Sequence, residues 1–355
     1  MSSLIKNIPP SAVKINCGGN PLDPKAAEML TTVMIESRLF LPASFAVTLA
    51  DSELKFIDAK GPLCEGVLLE INLDHENKTT KLFMGEISTV EAEMSEKGTF
   101  VRVAGYDLLH RLARGTNFRY YENSENPPKS MSDSSIAEAL ISAAGLTANL
   151  KDSNNLSIPR SQDNCSDLEF LTMLARLNGY YLYCEDKNIY FSDELPARDE
   201  LTYTWGEGQI TAFYPRLSLN GIVKTVENKG RDISLAEYAK TITREDLAFL
   251  SADGQSMLNR GSGSRDSQDR SVLNLHNARI NDDKGAESYL KGVMRDRQAL
   301  VSANGSCKGN PKIKAGASLK IEKAGRFSGS YHVVRAVHRF NDRGYTTDFE
   351  LRMKL

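Results

Sequence analysis

The chain has 355 residues, of which 41% are hydrophobic and 25% charged, a composition typical of globular proteins and not of disordered or fibrous ones. Its formal net charge of -2 excludes the overall basic character that general nucleic-acid binding requires. The five cysteines are scattered without a C-x-x-C pair, which argues against both a disulfide framework and a zinc site.

The first third of the chain begins without a signal-peptide pattern and is rich in alternating apolar and polar residues. Residues 44–49 and 67–74 alternate with a period of two, which predicts half-buried antiparallel strands. Further strands are predicted over residues 12–17, 31–37, 81–90 and 99–104. Short strands divided by Gly, Pro and Asn indicate a β-barrel or sandwich, so we predict a first β-barrel domain over residues 1–112.

The middle of the chain changes character and predicts two capped helices. Residues 117–132 are polar and contain Pro127-Pro128, which is typical of a surface connector. Ser135 and Glu138 form a capping-box pattern that predicts a helix, with Gly145 as its end. The same pattern at Ser166 and Glu169 opens a second helix, whose buried stripe consists of Leu168, Leu171, Leu174 and Leu177 with Phe170 and Met173 alongside.

The second predicted helix leads directly into a hairpin. Asn178-Gly179 is a typical helix end, since glycine adopts the left-handed conformation at little cost. Residues 180–184 and 189–191 are two aromatic-rich strands around a polar turn. Together these elements predict a small α+β domain over residues 113–200.

Strand patterns return from residue 201, as over residues 216–227, and predict a second β-barrel domain over residues 201–355. Residues 251–270 have too little apolar surface to offset the entropy of ordering, which predicts a mobile loop. A helix is predicted over residues 286–301, and closing strands are predicted around residues 319–321 and 347–353. The predicted fold class is therefore mainly β with an α+β insertion.

The chain carries none of the motifs that mark common catalytic or nucleotide-binding sites. A phosphate-binding loop, a dinucleotide fingerprint and a nucleophile elbow are all missing from the sequence. Gly206-x-Gly208 and Gly261-x-Gly263 are too short to cradle a phosphate, and His75-Glu76 lacks the second histidine of a metalloprotease helix. We therefore predict no catalytic, cofactor-binding or metal-binding residues and a protein that is not an enzyme.

Several residues still permit a functional reading beside a structural one. His332 and His338 fall on one face of a predicted strand, too far apart to share a metal, and a buried histidine pair is the favoured reading. Cations on the predicted helix could face a partner or a phosphate, although a solvated face is commoner; they are Lys291, Arg295 and Arg297. Aromatic side chains of the hairpin could stack sugars or bases, or pack in a core or interface; they are Tyr180, Tyr181, Tyr183, Tyr190 and Phe191.

Three stretches together resemble the baseplate hub proteins of contractile injection systems. Residues 166–183 follow the pattern S-D-L-E-F-L-x-x-L-A-x-x-N-G-Y-Y-x-Y. Residues 82–87 with 101–112 resemble the end of the first barrel in this family, and residues 329–347 resemble the last strands of its second barrel. The family is that of the phage late-control D proteins, related to the N-terminal hub of the VgrG secretion spikes.

The resemblance implies two related antiparallel β-barrels and an α+β insertion, without catalytic residues. It implies a homotrimer whose pseudo-sixfold ring joins a hexameric tail tube to a trimeric spike. The chain ends after the strand at residues 347–353, so we expect a separate spike protein as partner. Tail tube, tape measure and baseplate wedge proteins are further expected partners, and nucleic acid and membrane are not.

The expected location is a virion tail baseplate or an injection particle assembled in the bacterial cytoplasm. The sequence leaves open whether the machine is a phage tail, a tailocin, a secretion system or an extracellular injection system. A second hypothesis, from a different class, is a protein that binds or hydrolyses cell-wall glycans. Its basis is the tyrosine-rich hairpin and the 46 acidic residues, since glycoside hydrolysis uses paired carboxylates.

Overall fold

The computed structural model is mostly β, with large antiparallel sheets and few helices, which confirms the predicted fold class. The predicted mobile loop at residues 251–270 lies outside the described residues. The structure describes residues 12–58, 61–75, 78–96, 98–122, 131–153, 159–195, 198–218, 223, 225–231, 237–243, 272–276, 280, 283–297 and 301–354.

The helices are short, and the strands account for most of the elements. The helices are α1 Pro24–Glu28, α2 Asp133–Ala143, α3 Asp167–Leu177 and α4 Asp283–Arg297, with 3-10 helices at Leu108–Ala113 and Gly325–Phe327. The strands up to the middle of the chain are β1 Val13–Cys17, β2 Asn20–Pro21, β3 Leu30–Arg38, β4 Leu41–Leu49, β5 Leu68–His75, β6 Lys78–Ser95, β7 Gly98–Tyr106, β8 Asn117–Tyr121, β9 Thr147–Leu150 and β10 Arg160–Cys165. The remaining strands are β11 Tyr181–Glu185, β12 Asn188–Ser192, β13 Leu201–Thr204, β14 Ile210–Leu217, β15 Thr225–Arg231, β16 Glu237–Thr243, β17 Val272–Leu275, β18 Val301–Lys308, β19 Ser318–Glu322, β20 Gly329–Asn341 and β21 Gly344–Met353.

Three hydrophobic cores divide the described residues into three units. The first β unit comprises β1 to β7, the insertion unit comprises residues 108–192, and the second β unit comprises the strands from β13 onward. In β7 the alternation of buried Val101 and Val103 with exposed Arg102 shows how the period-two pattern turns one strand face to the core. Burial of each such aliphatic side chain contributes roughly 1.5–3 kcal/mol.

One strand belongs to both β units. A 13-stranded sheet runs in the order β14-β18-β21-β20-β3-β4-β7-β6-β5-β1-β2, with β19 also pairing with β20 and β13 with β19. Within β20, Tyr331 and Val333 pack in the core of the second unit, whereas Phe340 packs in the core of the first. Residues 335–340 of β20 pair antiparallel with β3, so the two units are continuous through backbone hydrogen bonds.

Polar contacts reinforce this shared strand. The Arg335 guanidinium, on β20, donates two hydrogen bonds to the Glu36 carboxylate on β3, at 2.5 and 2.8 Å. These bonds and the positive charge of Arg335 hold the pKa of Glu36 below its usual value. The backbone N–H of Ala315 donates to the Ser37 hydroxyl at 3.0 Å, a further link between the units.

The insertion unit contains the motifs that the sequence marked most clearly. Helix α3 begins at the Ser166 cap, whose hydroxyl accepts from the backbone N–H of Glu169, and Glu169 in turn accepts from the backbone N–H of Ser166. The helix ends before Gly179, which has a φ of +65°. Leu168, Leu171, Leu174 and Leu177 are all buried, as the stripe predicts.

Four local features of the structure differ from what the sequence predicts. Residues 117–121, expected in a connector, form β8, because Tyr121 stacks on Phe170 with ring centres 5.3 Å apart. Helix α2 begins at Asp133 under a Ser132 cap, since Asp133 is buried against Arg160 at 2.7 Å. The predicted strand over residues 216–227 is divided, with β14 ending at residue 217 and β15 beginning at residue 225. The predicted helix over residues 286–301 lies instead at residues 283–297, and residue 301 opens β18.

Candidate functional site

A groove of about 1720 Å³ lies where the three units meet, and we call it the junction groove. One wall is formed by α3 and α4, and another by the outer face of β20 and β21. Its apolar floor includes Phe40, Met173, Leu177, Tyr181 and Tyr289. The volume exceeds the ~300–1,000 Å³ of ordinary small-ligand pockets, so the groove is an extended surface depression and not an enclosed small-molecule pocket.

Two glycines bring α3 and α4 close enough to form the helical wall. A Cβ atom on Gly292 would lie 2.7 Å from the Gly179 Cα, and a Cβ on Gly179 would lie 2.6 Å from the Ser288 carbonyl oxygen. Only glycine at both positions leaves room for the observed contact. The sequence indicated Gly179 as a helix end but contained no signal that it faces Gly292.

Arg295 is held against the groove wall. Its guanidinium carbon lies 4.1 Å from the centre of the Tyr181 ring, and its Nη1 donates to the Gly179 carbonyl oxygen at 3.1 Å. Lys291, one turn earlier, is exposed and pairs with Glu287 at 2.7 Å. The side chain of Arg297 lies outside the described residues.

The two candidate histidines lie on opposite faces of β20, which corrects the prediction of one shared face. A β-bulge between Val333 and Arg335 shifts the alternation, so that residues 331 and 333 are buried before it and residues 336, 338 and 340 after it. His332 therefore faces the junction groove, whereas His338 faces inward, with Nδ1 2.9 Å from the Tyr345 hydroxyl. They do not form a pair.

The environments of both histidines favour the neutral ring. Burial, followed by the charges of Lys354 and Arg295, lowers the pKa of His332 to about 4. Burial, followed by the charge of Lys314, lowers the pKa of His338 to about 3. The His332 Nδ1 atom is buried and has no hydrogen-bond partner among the described residues.

The tyrosines of the hairpin are packed within the fold. Tyr183 and Tyr190 stack on each other with ring centres 4.7 Å apart, and Tyr180 meets Phe191 edge-on at 5.1 Å. Tyr181 lies beneath Arg295. Each of these rings packs against another side chain of the same chain, which agrees with a packing role for the hairpin aromatics.

A smaller cavity of about 250 Å³ lies between the first β unit and the hairpin. Its wall includes Asp107, which accepts hydrogen bonds from the backbone N–H groups of Ala43 and Leu109. Burial raises the pKa of Asp107 to about 7, and burial together with nearby Arg198 lowers the pKa of Lys314 in the same wall to about 8. Sequence reasoning missed both residues, since their neighbours come from distant parts of the chain.

A buried carboxylate ties the insertion unit to the first β unit. Glu86 accepts from Arg111 Nε at 2.9 Å and from Arg114 at 3.2 Å, and His110 Nε2 lies 3.3 Å away. The arginines follow the first β unit directly in the chain, at the start of the insertion unit. The cluster is a structural clamp of charge-assisted hydrogen bonds.

Among the described residues, no group of three His, Cys, Asp or Glu side chains is placed to hold a metal ion. In the same part of the chain, no helix is long and apolar enough to cross a membrane.

Comparison with solved structures identifies proteins with the same fold. The 43 kDa tail protein of prophage MuSo2 from Shewanella oneidensis is 12% identical, with a TM-score of 0.68 over 97% of this chain and 98% of that one. A tail protein from Neisseria meningitidis MC58 is 12% identical, with a TM-score of 0.67 over 96% of each chain. The c3393 protein of E. coli, described as a type VI secretion component similar in structure to T4 tail proteins gp27 and gp5, is 13% identical, with a TM-score of 0.56 over 91% of this chain and 73% of that one.

At these identities the likeness establishes the fold of phage tail proteins for this chain. No curated protein matches the sequence. A family model described as the Alg8 N-terminal domain matches residues 12–342, which is most of the chain. The chain therefore belongs to the Alg8 N-terminal domain family.

Proposed function

We propose that the chain is the structural hub of a contractile tail baseplate, of the late-control D type. Three copies would form a pseudo-sixfold ring that joins a hexameric tail tube to a separate trimeric spike. The observation that carries the proposal is the shared strand β20, which joins two β units into one continuous sheet. Each chain thereby contributes two β units whose relative position is fixed. Three such chains would present six β units, which is what a threefold particle needs in order to contact a sixfold tube.

Rigidity at the joint supports this role. A load-bearing adaptor must hold its two β units in register, and separate domains joined by a linker would move relative to each other. Here the joint consists of backbone hydrogen bonds along residues 335–340, the Arg335–Glu36 ion pair and the packing of Phe340 in the first core. The fold shared with prophage tail proteins over nearly the whole chain agrees with a tail role.

The insertion unit is fixed to the same joint. The Glu86–Arg111 clamp and the Lys81–Asp186 ion pair, at 3.0 Å, connect it to the first β unit. We propose that residues 1–112, 113–200 and 201–355 are the three domains, as the sequence suggests, and that they move as one body. A protein that works by geometry in this way needs no catalytic residues, and we propose that it is not an enzyme.

Reconstitution with candidate tail tube and spike proteins tests the proposal. We expect the purified chain, mixed with the tube and spike proteins of its own tail, to form a ternary complex with the tube on one side and the spike on the other. An Arg335→Glu variant, which places two carboxylates at the joint, should bind both partners more weakly. A chain that binds neither partner would contradict the hub, and clearing of peptidoglycan by the purified chain would contradict the non-enzymatic role.

A further inference from the structure

We propose that His110 is a pH-sensitive switch in the Glu86 clamp, the cluster of Glu86, His110, Arg111 and Arg114. In its neutral form the His110 ring accepts a hydrogen bond from Arg114. In its protonated form the ring donates to Glu86 and displaces Arg114 from the clamp. Acid thereby loosens the segment that leads from the first β unit into the insertion unit. The switch lies within one chain and does not depend on the proposed ring.

The contacts of His110 determine which ring nitrogen carries the proton. Its Nδ1 atom lies 2.7 Å from the backbone carbonyl oxygen of Asp107, and because a carbonyl oxygen only accepts hydrogen bonds, Nδ1 carries a hydrogen. Its Nε2 atom lies 2.8 Å from Nη2 of Arg114, and because a guanidinium only donates, Nε2 is unprotonated. The structure therefore holds His110 as the neutral Nδ1–H tautomer.

The Arg114 nitrogen, the His110 nitrogen and one Glu86 oxygen form a triangle. Nη2 of Arg114 lies 2.8 Å from Nε2 of His110 and 3.2 Å from Oε2 of Glu86. The third side, from Nε2 of His110 to Oε2 of Glu86, is 3.3 Å. In the neutral state this third side separates two hydrogen-bond acceptors. A single proton added to Nε2 converts it into a charge-assisted hydrogen bond.

Protonation of Nε2 also makes two donors face each other, so one of them has to move. The His110 side chain is 12% exposed and is held by the bond from Nδ1 to the Asp107 carbonyl. The Arg114 side chain is 66% exposed and can turn into water. Glu86 keeps the bond from Arg111 Nε at 2.9 Å, so its buried charge stays paired. Arg114 is therefore the group that leaves.

Charges of both signs lie against the His110 ring. Glu86 on β6 favours the imidazolium, whereas the guanidinium groups of Arg111 and Arg114 favour the neutral ring. The Asp107 carboxylate accepts from two backbone N–H groups, and the Tyr106 ring on β7 lies 6.2 Å away. Histidine ordinarily changes its charge between pH 5 and 8, which makes it the side chain suited to such a switch.

The other elements that pack on this 3-10 helix are α3, β4 and β11. Strand β4 has no charged residue in its sequence. Most charged side chains of α3 and β11 have partners of their own; the pairs are Asp167 with Arg119, Glu169 with Ser166, and Glu185 with Arg198. Arg176, the remaining charged residue of α3, lies in the wall of the junction groove. The charge balance at His110 is therefore set by the clamp itself.

The position of Arg114 in the chain gives its release a structural consequence. The 3-10 helix ends at Ala113, and β8 begins at Asn117. The contacts of Arg114 with Glu86 and His110 tie the short connection between these two elements to the clamp. Once Arg114 turns into solvent, we expect the backbone of residues 114–117 to open more often.

The protonation state of His110 can be measured directly. Magic-angle-spinning NMR of 15N-histidine-labelled protein distinguishes protonated from unprotonated ring nitrogens, and the spectrum of His110→Gln assigns the signals among the five histidines. We expect a protonated Nδ1 and an unprotonated Nε2 at pH 8, and both nitrogens protonated at pH 5. A proton on Nε2 at pH 8, or a neutral ring at pH 5, would overturn the switch.

Hydrogen exchange measures the effect on the connection. After correction for intrinsic rates, we expect the amides of residues 114–117 to exchange about threefold or more faster at pH 5 than at pH 8, because a side-chain hydrogen bond is lost. His110→Gln offers Arg114 an acceptor that does not titrate, so its exchange should be slow at both pH values. Arg114→Ala lacks the displaced group, so its exchange should be equally fast at both.

A matched control replaces a histidine outside the clamp. His276 also places Nδ1 against a carbonyl oxygen, that of Lys229 at 2.8 Å. His276→Gln should keep the full pH response of residues 114–117. Exchange that is independent of pH in the wild type would overturn the proposal. A pH response in His110→Gln or Arg114→Ala as large as in the wild type would also overturn it, since another group would then control the connection.

Discussion

Replacement of Gly292 by alanine provides a sensitive test of how α4 is docked. In an exposed helix interior, Gly→Ala stabilises a helix by about 1 kcal/mol. Here the added Cβ would lie 2.7 Å from the Gly179 Cα, against an ordinary contact of at least 3.4 Å, so the helix would have to retreat by about 0.7 Å. The Gly179 Cα is a backbone atom and cannot rotate out of the way as a side chain can. We therefore expect the loss in free energy of unfolding to lie in the upper half of the ~1–3 kcal/mol range for overpacking. The expected result is a net loss of about 1–2 kcal/mol.

Hydrogen exchange of the α4 amides measures this effect locally, which avoids assuming that a chain of three units unfolds in one step. We expect faster exchange over residues 283–297 in Gly292→Ala and unchanged exchange in the first β unit. Ser288→Ala, in the same helix, raises helix propensity without adding a carbon beside Gly179 and should leave exchange equal or slower. Slower exchange in Gly292→Ala would show that the helix is not held at the observed distance.

Three further perturbations test the cores and the joint. Leu174→Ala, at a fully buried position of α3, should lower the free energy of unfolding by about 2–5 kcal/mol, as measured by chemical denaturation. A loss below about 0.5 kcal/mol would show that this face of the helix is not buried in the core. Asp107 has a folded-state pKa of about 7, above its ordinary 3.8, so its contribution to stability is full at low pH and is lost as the pH rises through about 7. Asp107→Asn should flatten that decline in thermal melts between pH 4 and 8, and an unchanged profile would refute the assignment. Arg335→Gln, in a double-mutant cycle with Glu36→Gln, should show a coupling of about 0.5–1 kcal/mol, because each substitution removes one charge of the pair, and strictly additive losses would mean that the pair does not strengthen the joint.

Local patterns predicted much of this structure because local physics decides it. The Ser166–Glu169 capping box, the buried leucines of α3 and the glycine that ends the helix depend on residues within one or two turns of each other. The period-two alternation of β5, β7 and β21 likewise depends on neighbours along the strand and on one buried face.

The missed features depend on partners far apart in the chain. Helix α2 begins at Asp133 because the carboxylate of Asp133 accepts a hydrogen bond from Arg160, which lies 27 residues later in the chain. Strand β8 forms because the ring of Tyr121 stacks on the ring of Phe170. The bulge in β20, which separates His332 from His338, leaves no mark in the alternation of residue types that a reading of one strand could detect.

The candidate site was less predictable than the fold for the same reason. The groove exists because Gly179 and Gly292, 113 positions apart, touch, and because the bulge turns His332 outward. Arg295 was recognised as a candidate cation, but its stacking on Tyr181 depends on that same approach of the two helices. The shared strand β20 joins residues 335–340 to β3, almost at the other end of the chain, and no short-range pattern encodes such a pairing.

The mass and symmetry of the purified chain in solution test the central claim most directly. Light scattering should give three times the 39.3 kDa of one chain, and negative-stain images should show a ring with three major and three minor lobes, alone or with the spike protein. A mass of one chain under both conditions, without rings in the images, would contradict the proposed hub.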